Sequence, residues 1–336
     1  MIGPLLALIL QSGAPLSGAP PSSGWALPAT RLCSPEELRD LAALPDAADT
    51  PFRLTCRAET HGRPILRRIL IQGGEASGAG IDCGGGGIGQ PGARTTTQTP
   101  TIAVWSRRID GPSPAWSRPT DISISHCTVH GAIRIWGMGV GGRIDDLRNS
   151  SRTQGHTRAA QAAGPSHIAL TDLTFAATGS IPLYVGPGVT SVAVDGGQFS
   201  GRSDSTAIYL DAESAGAVIS NVTFDVATPR EKIAVDGSAR NTITGNRFAL
   251  GGRGGVFLYR NCGEDGVIRH QTPSNNLITD NVFTGAPVFQ RNAVVVGARE
   301  GGRRYCGDDR GWPFGSSLDD GDHATGNTVA RNRVGR

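Results

Sequence analysis

Two aspartates that follow similar apolar strands are the first residues able to do chemistry together. Asp211 follows the strand AIYL and Asp236 follows the strand KIAV, 25 positions later. If the two strands stack in register, the carboxylates lie on neighbouring chain segments, roughly 5 Å apart. Two unpaired carboxylates at that distance repel each other. Either one keeps a proton and the two form an acid–base pair, or a cation neutralises both.

The residues around these aspartates supply further candidates. Glu213 lies two positions after Asp211, and an oxygen-only group of Asp211, Glu213 and Asp236 suits Ca²⁺, which is therefore the one cofactor that the sequence suggests. The other catalytic candidates are Tyr259, Arg260 and His270. The substrate-binding candidates are Tyr209, Glu213, Phe257, Asn261, Arg269 and Arg299. The alternative is that the arginines pair with the carboxylates in a surface ion network that has no catalytic role.

A repeat of about 24 residues must position these side chains. Segments such as GAVISNVTF and NTITGNRF alternate apolar residues, turn at a polar corner with Asn, Asp or Gly, and close on Phe or Val. A second alternating strand follows most of them. This period is typical of one turn of a parallel β-solenoid, so the sequence predicts an all-β fold with many corners.

Three long insertions interrupt the repeat, over residues 137–166, 260–274 and 298–326. Each leaves the same strand of a different coil, so we expect them to project along one rim. Long loops on a rigid scaffold are where binding and catalysis usually occur. The alternative is that they are tolerated surface insertions without a function.

The N-terminal region predicts export and a cap. Residues 1–26 begin with the apolar run MIGPLLALIL and are assigned to a signal peptide and processing region, which makes the protein secreted or periplasmic. Residues 27–64 form an N-terminal cap, in which Ser34, Pro35 and Glu37 begin a short helix with a capping box. Residues 65–336 form the solenoid. No other apolar run reaches the length of a membrane span.

Composition and cysteines narrow the class of protein. A formal net charge of +3 without strong clustering argues against nucleic-acid binding. Six cysteines in an exported chain favour disulfides, and their number allows 15 connectivities. We expect Cys33–Cys56, Cys83–Cys127 and Cys262–Cys306.

The repeat resembles the right-handed parallel β-helix of the pectate-lyase-like superfamily, over roughly residues 65–334. The expected fold is therefore a single-stranded right-handed parallel β-helix with a short N-terminal capping helix. The stretches EKIAVDGSARNTITGNRF and GGVFLYRNCGE are similar in layout to the family of alginate lyases and chondroitinase B. That resemblance implies β-elimination on uronic-acid polymers, with calcium on the substrate carboxylate, a lysine base and an arginine acid. Arg260 takes the arginine role, whereas Asp236 stands where the lysine would be.

The sequence thus predicts an exported enzyme that processes polysaccharides. The leading hypothesis is a lyase that cleaves an acidic, uronic-acid-containing polysaccharide in a groove on the β-helix face. One alternative is a glycoside hydrolase in which Asp211 and Asp236 share the acid and base roles. The other is a carbohydrate-binding or structural β-solenoid without catalysis. The expected partner is the polysaccharide, and both a monomer and a homotrimer stay open.

Overall fold

The computed structural model describes residues 31–111, 115–251, 253–285 and 293–335. Within them the chain winds into stacked coils whose strands form three parallel sheets. Sheet 1 contains Arg57–Glu59, Gly80–Asp82, Thr120–Ser125, Ser166–Thr171, Thr190–Asp195, Val218–Ser220, Thr242–Thr244, Leu277–Thr279 and Thr328–Ala330. Sheet 2 contains Gly87–Ile88, Thr128–His130, Thr174–Gly179, Gln198–Ser203, Thr223–Phe224, Arg247–Ala249, Val282–Thr284 and Arg333–Val334. Sheet 3 contains Phe52–Arg53, Ile69–Gln72, Ile102–Trp105, Ile133–Trp136, Leu183–Val185, Ile208–Leu210, Ile233–Asp236, Val256–Tyr259 and Val294–Val296.

The corner between sheets 1 and 2 explains the polar residues of the repeat. Asp172, Asn221 and Asp280 occupy it with φ values of 49°, 58° and 61°. Asn and Asp tolerate this left-handed conformation better than other non-glycine residues, because their short polar side chains bond locally to the backbone. The corner therefore selects the residue types that recur in the sequence.

The interior of the coils is built from ladders of identical residues. The rings of Phe199, Phe224 and Phe248 are stacked, with centroids 5.0 and 4.6 Å apart. At the corner, Asn281 donates to Asn332 and accepts from Asn246, both at 3.0 Å. Each ladder residue thus finds its partner one coil away, as the repeat predicts.

The capping helix and the disulfides agree with the sequence predictions, whereas two strands of the sheets, Phe52–Arg53 and Arg57–Glu59, already lie in the stretch assigned to the cap. Helix α1 spans Pro35–Leu41, and Ser34 and Glu37 form the reciprocal capping box. The disulfides within the described residues are Cys33–Cys56, Cys83–Cys127 and Cys262–Cys306. The predicted signal peptide lies outside the described residues. None of the helices in the described part of the chain is long and apolar enough to cross a membrane.

The three insertions lie together along one rim of sheet 3. The first contains helices α2, Ile144–Ser151, and α3, His156–Ala163, after the short 3-10 helix Val140–Gly142. Arg148 of α2 donates through Nε to the Asp265 carbonyl of the second insertion at 2.6 Å. The second insertion is joined to the third by Cys262–Cys306. The remaining elements are the 3-10 helices Gly74–Ala76, Glu264–Gly266 and Gly315–Ser317, and an antiparallel pair of Arg107–Ile109 with Ala115–Ser117.

Candidate functional site

A pocket of about 450 Å³ lies between the outer face of sheet 3 and the insertions. Sheet 3 and the turns that follow its strands supply Arg134, Trp136, Tyr184, Tyr209 and Asp211. The second and third insertions supply Glu264, Asp265, Arg269, Arg299 and Tyr305. The pocket thus combines carboxylates, arginines and aromatic rings.

Strand alternation places the sheet side chains. Arg134, Tyr184 and Tyr209 are register partners on successive coils. Their sequence neighbours Ile133, Leu183 and Ile208 are fully buried in the core. Since side chains alternate across a strand, the three polar residues must face outward, toward the insertions.

Of the catalytic residues predicted from the sequence, Asp211 is the one that lines the pocket. Its Oδ1 accepts from Arg269 Nη1 and from the Ala212 amide, each at 2.7 Å, and its Oδ2 accepts from the Tyr184 hydroxyl. Burial and the Asp211 charge raise the pKa of Tyr184 well above its usual value, so this phenol stays protonated and donates. Burial alone would lower the pKa of Arg269, but the charges of Asp211 and Asp236 raise it.

Asp236 lies behind the pocket and does not line it, so the prediction of direct acid–base contact with substrate is wrong. It is fully buried and accepts from the Asn261 amide and Asn261 Nδ2 at 2.7 Å and from the Tyr209 hydroxyl at 2.5 Å. Burial, reinforced by the Asp211 charge and opposed by Arg269, raises the pKa of Asp236 to about 6. The residue holds Tyr209 and Asn261, which themselves line the pocket.

Glu213 fastens the insertions to the coil. Its Oε1 accepts from the His270 and Gln271 amides at 2.7 and 3.1 Å, and its Oε2 accepts from Thr157 of α3. Among the described residues, Asp211, Glu213 and Asp236 do not form a group in which one oxygen from each of the three carboxylates lies within 4.8 Å of the other two. The predicted three-carboxylate calcium site is therefore not assembled, because each carboxylate is held by different protein donors. Glu213 is also buried and does not line the pocket as a substrate-binding residue.

Tyr259 and Arg260, two further catalytic candidates, are absent from the pocket wall. The Tyr259 side chain is fully buried, and its hydroxyl donates to Glu231 at 3.0 Å and accepts from Arg230 at 2.6 Å. Arg260 donates to the carbonyl and carboxylate of Asp319, at 3.0 and 3.1 Å. Two residues of the third insertion contact these side chains, since Arg299 lies over the Tyr259 ring and Asp319 accepts from Arg260.

His270, the third of these candidates, faces the first insertion. Its Nε2 lies 2.6 Å from the Ser151 carbonyl of α2, and its ring contacts His156 and Phe314 at centroid distances of 5.2 and 4.9 Å. The side chain therefore anchors α2 and lies off the pocket wall. The predicted role as acid or base at the pocket is wrong for this reason.

The substrate-binding candidates Tyr209, Asn261, Arg269 and Arg299 do line the pocket. Arg299 lies over the Tyr259 ring, 3.7 Å from its centroid, and donates to Asn261. Phe257 is different, because it is half-buried against the cluster of Tyr209, Ala234 and Tyr259 and does not line the pocket.

Residues 118–298 match the family model described as a right handed beta helix region. The chain belongs to that family. This β-helix matches no curated protein. In the solved structure of the Yersinia enterocolitica family 28 exopolygalacturonase, the similar part is 12% identical and covers 89% of this chain and 64% of the other, with a TM-score of 0.40. This chain therefore spans less than two thirds of that enzyme.

Most residues that line the pocket of this β-helix were missed by the sequence predictions. Among them are Arg134, Trp136, Arg230, Glu264 and Tyr305. For Arg134 and Trp136 a signal exists, because the strand Ile133–Trp136 alternates like the later strands of sheet 3 and extends the row of Tyr184 and Tyr209 by one coil. Glu264 and Tyr305 belong to the insertions, where the period gives no direction for the side chain. Arg230 lies in the connection between the strands Thr223–Phe224 and Ile233–Asp236, so strand alternation does not direct its side chain.

Proposed function

We propose that the protein is a polysaccharide-processing enzyme that hydrolyses an acidic saccharide in the pocket on sheet 3. The observation that carries this proposal is Asp211, a carboxylate on the pocket wall that is oriented by Arg269, Tyr184 and a backbone amide. A catalytic carboxylate must reach the substrate and keep a fixed orientation, and Asp211 satisfies both conditions.

The surroundings favour hydrolysis over the β-elimination expected from the sequence. Elimination requires a base that removes a proton from carbon. His270 faces α2, and the only lysine, Lys232, is buried and donates to the Val226 carbonyl. Burial raises the pKa of Tyr184 and Tyr209, so neither phenol is a ready base. The pocket offers carboxylates instead, which are the groups that glycoside hydrolysis uses.

Glu264 supports this proposal as the second carboxylate. It lines the pocket with Asp211, and its Oε2 lies 3.6 Å from Nη2 of the same Arg269 guanidinium. Its side chain is 47% exposed, so it can exchange protons with solvent. We assign proton transfer to the leaving group to Glu264, and attack or water activation to Asp211. This pair replaces Asp211 and Asp236, because Asp236 lies behind the pocket.

The test is a turnover assay of the purified protein on a panel of acidic and neutral polysaccharides. We expect new reducing ends without the absorbance of an unsaturated product. Asp211→Asn should lower kcat/KM about 1,000-fold, and Glu264→Gln should lower it about 100-fold. The control Asp172→Asn changes an exposed acid at a coil corner and should leave kcat/KM unchanged.

Three results would contradict this proposal. Reducing ends that appear together with unsaturated product would establish elimination. Saccharide binding without turnover would identify a binding module. Full activity in Asp211→Asn would place the chemistry elsewhere on the molecule.

A further inference from the structure

Arg134 is a buried cation without a counterion. Arg134 is only 2% exposed, yet it lines the pocket. Among the described residues no carboxylate forms an ion pair with it, and its Nε and Nη1 have no hydrogen-bond partner. Its guanidinium lies 5.3 Å from the centroid of the Tyr184 ring. Burial lowers the pKa of Arg134 to about 10, so it is still charged at neutral pH.

Two of the other pocket arginines have a counterion, and the third, Arg299, differs from Arg134 in its exposure. Arg269 pairs with Asp211 at 2.7 Å, and Arg230 pairs with Glu231 at 2.8 Å. Arg299 is more exposed and donates to Asn261. A buried charge with unsatisfied donors costs several kcal/mol, and a fold retains it at a binding site when a ligand supplies the missing anion.

A second unpartnered donor lies on the same wall. Trp136 is two residues further along the same strand, lines the pocket, and has a buried indole Nε1 without a hydrogen-bond partner. Residues two positions apart on a strand face the same side. Two residues that line the pocket, on the same face of one strand, therefore carry buried donors without a protein partner.

We propose that Arg134 and Trp136 form an anion subsite that binds the carboxylate of a uronic acid unit. A guanidinium fork matches a planar carboxylate with two parallel hydrogen bonds, and the indole N–H supplies a third donor to the carboxylate or an adjacent hydroxyl. The single buried guanidinium of Arg134 matches a monoanion, which favours a carboxylate over a phosphate. This inference rests on the proposed function, because it names the substrate class of the same pocket.

The experiment is calorimetric titration of the full chain with uronic-acid oligosaccharides and with the same oligosaccharides after carboxyl reduction. The two ligands differ only in a carboxylate against a hydroxymethyl group. We expect wild type to bind the acidic form about 100-fold more tightly, as for charge-assisted hydrogen bonds in a buried site. Arg134→Gln should abolish this preference, and Arg134→Lys should retain part of it because the charge stays but the fork is lost.

The control variant is Arg202→Gln, which changes an arginine whose side chain is 79% exposed and should keep the full preference. Thermal unfolding shows that each variant is folded, and Arg134→Gln should not be destabilised, since it removes an unpaired buried charge. Equal binding of the acidic and reduced forms by wild type would overturn the subsite. So would an Arg134-dependent preference for the matching sulfated sugar, which would assign a sulfate in place of the carboxylate.

Failure of this inference and failure of the proposed function give different results. If the chain hydrolyses neutral polysaccharides and Arg134→Gln is as active as wild type, the hydrolase stands and the subsite is wrong. If uronic-acid oligosaccharides bind in an Arg134-dependent way without turnover, the subsite stands and the enzyme is wrong.

Discussion

The ladders inside the coils and the rim of insertions differ in which residues contact a buried side chain. In the ladders, Phe224 stacks on Phe199 and Phe248, so each residue is satisfied by a copy of itself. On the rim, Asp211 is satisfied by Arg269, which lies 58 positions away in an insertion. The ladders can only repeat one favourable contact. The rim holds single-copy charged groups, and these are the groups that can bind and transform a ligand.

The largest expected effect comes from removing one ring of the Phe ladder. Phe224→Ala should lower the free energy of unfolding by about 4 kcal/mol, because it opens a cavity between two stacked rings in a fully buried position. Phe257→Ala is the matched control on the pocket side of sheet 3, where the ring is half-buried, and it should cost clearly less. Urea unfolding of both variants measures the difference. Equal losses would mean that the ladders are no more stabilising than the rim.

A smaller effect is expected on the rim, where the free energy of unfolding depends on pH. His156 of α3 is buried, with Nδ1 2.9 Å from Ser150 Oγ, and burial lowers its pKa from 6.5 to about 4. His156 therefore becomes protonated below about pH 6.5 in the unfolded chain, but only below about pH 4 in the folded chain. Folding stability is lost as the pH falls through this window, by about 3 kcal/mol in total.

The measurement compares wild type with His156→Gln in urea unfolding at pH 7 and pH 4.5. Asp236 acts in the opposite direction, because its raised pKa makes its contribution weaken as the pH rises through about 6. Taking the difference between the two proteins cancels this contribution. Stability that depends on pH identically in both would show that His156 does not titrate in this range.

The 24-residue repeat predicts the fold, but for the candidate site it predicts only to which side of the strand each side chain points. It predicts the stacked coils and the Phe or Val that closes each repeat, because each depends on a neighbour one repeat away. It places Tyr209 and Asp211 on the pocket side, where the structure has them. It does not predict that Asp236 and Tyr259 are fully buried, because the insertions that cover them have no repeat. Alternation fixes which way a side chain points, whereas burial depends on what folds over it.

The smallest expected effect is a difference in stability between variants in the middle and at the end of the Asn ladder. Asn281 is fully buried, accepts from the Asn246 amide and side chain at 3.0 Å, and donates to Asn332 and to the Ile243 carbonyl. Asn281→Ala leaves these groups unsatisfied away from water and should cost about 2 kcal/mol.

Asn332 makes the same kind of contacts at the last described coil but is only half-buried, so water can replace its side chain. Asn332→Ala should cost below about 1 kcal/mol, again measured by urea unfolding. If the two variants lose the same stability, the ladder bonds are as strong at the end as in the middle. The contrast with the rim would then lie in the residue types alone, and burial by neighbouring copies would not be what makes the coil stable.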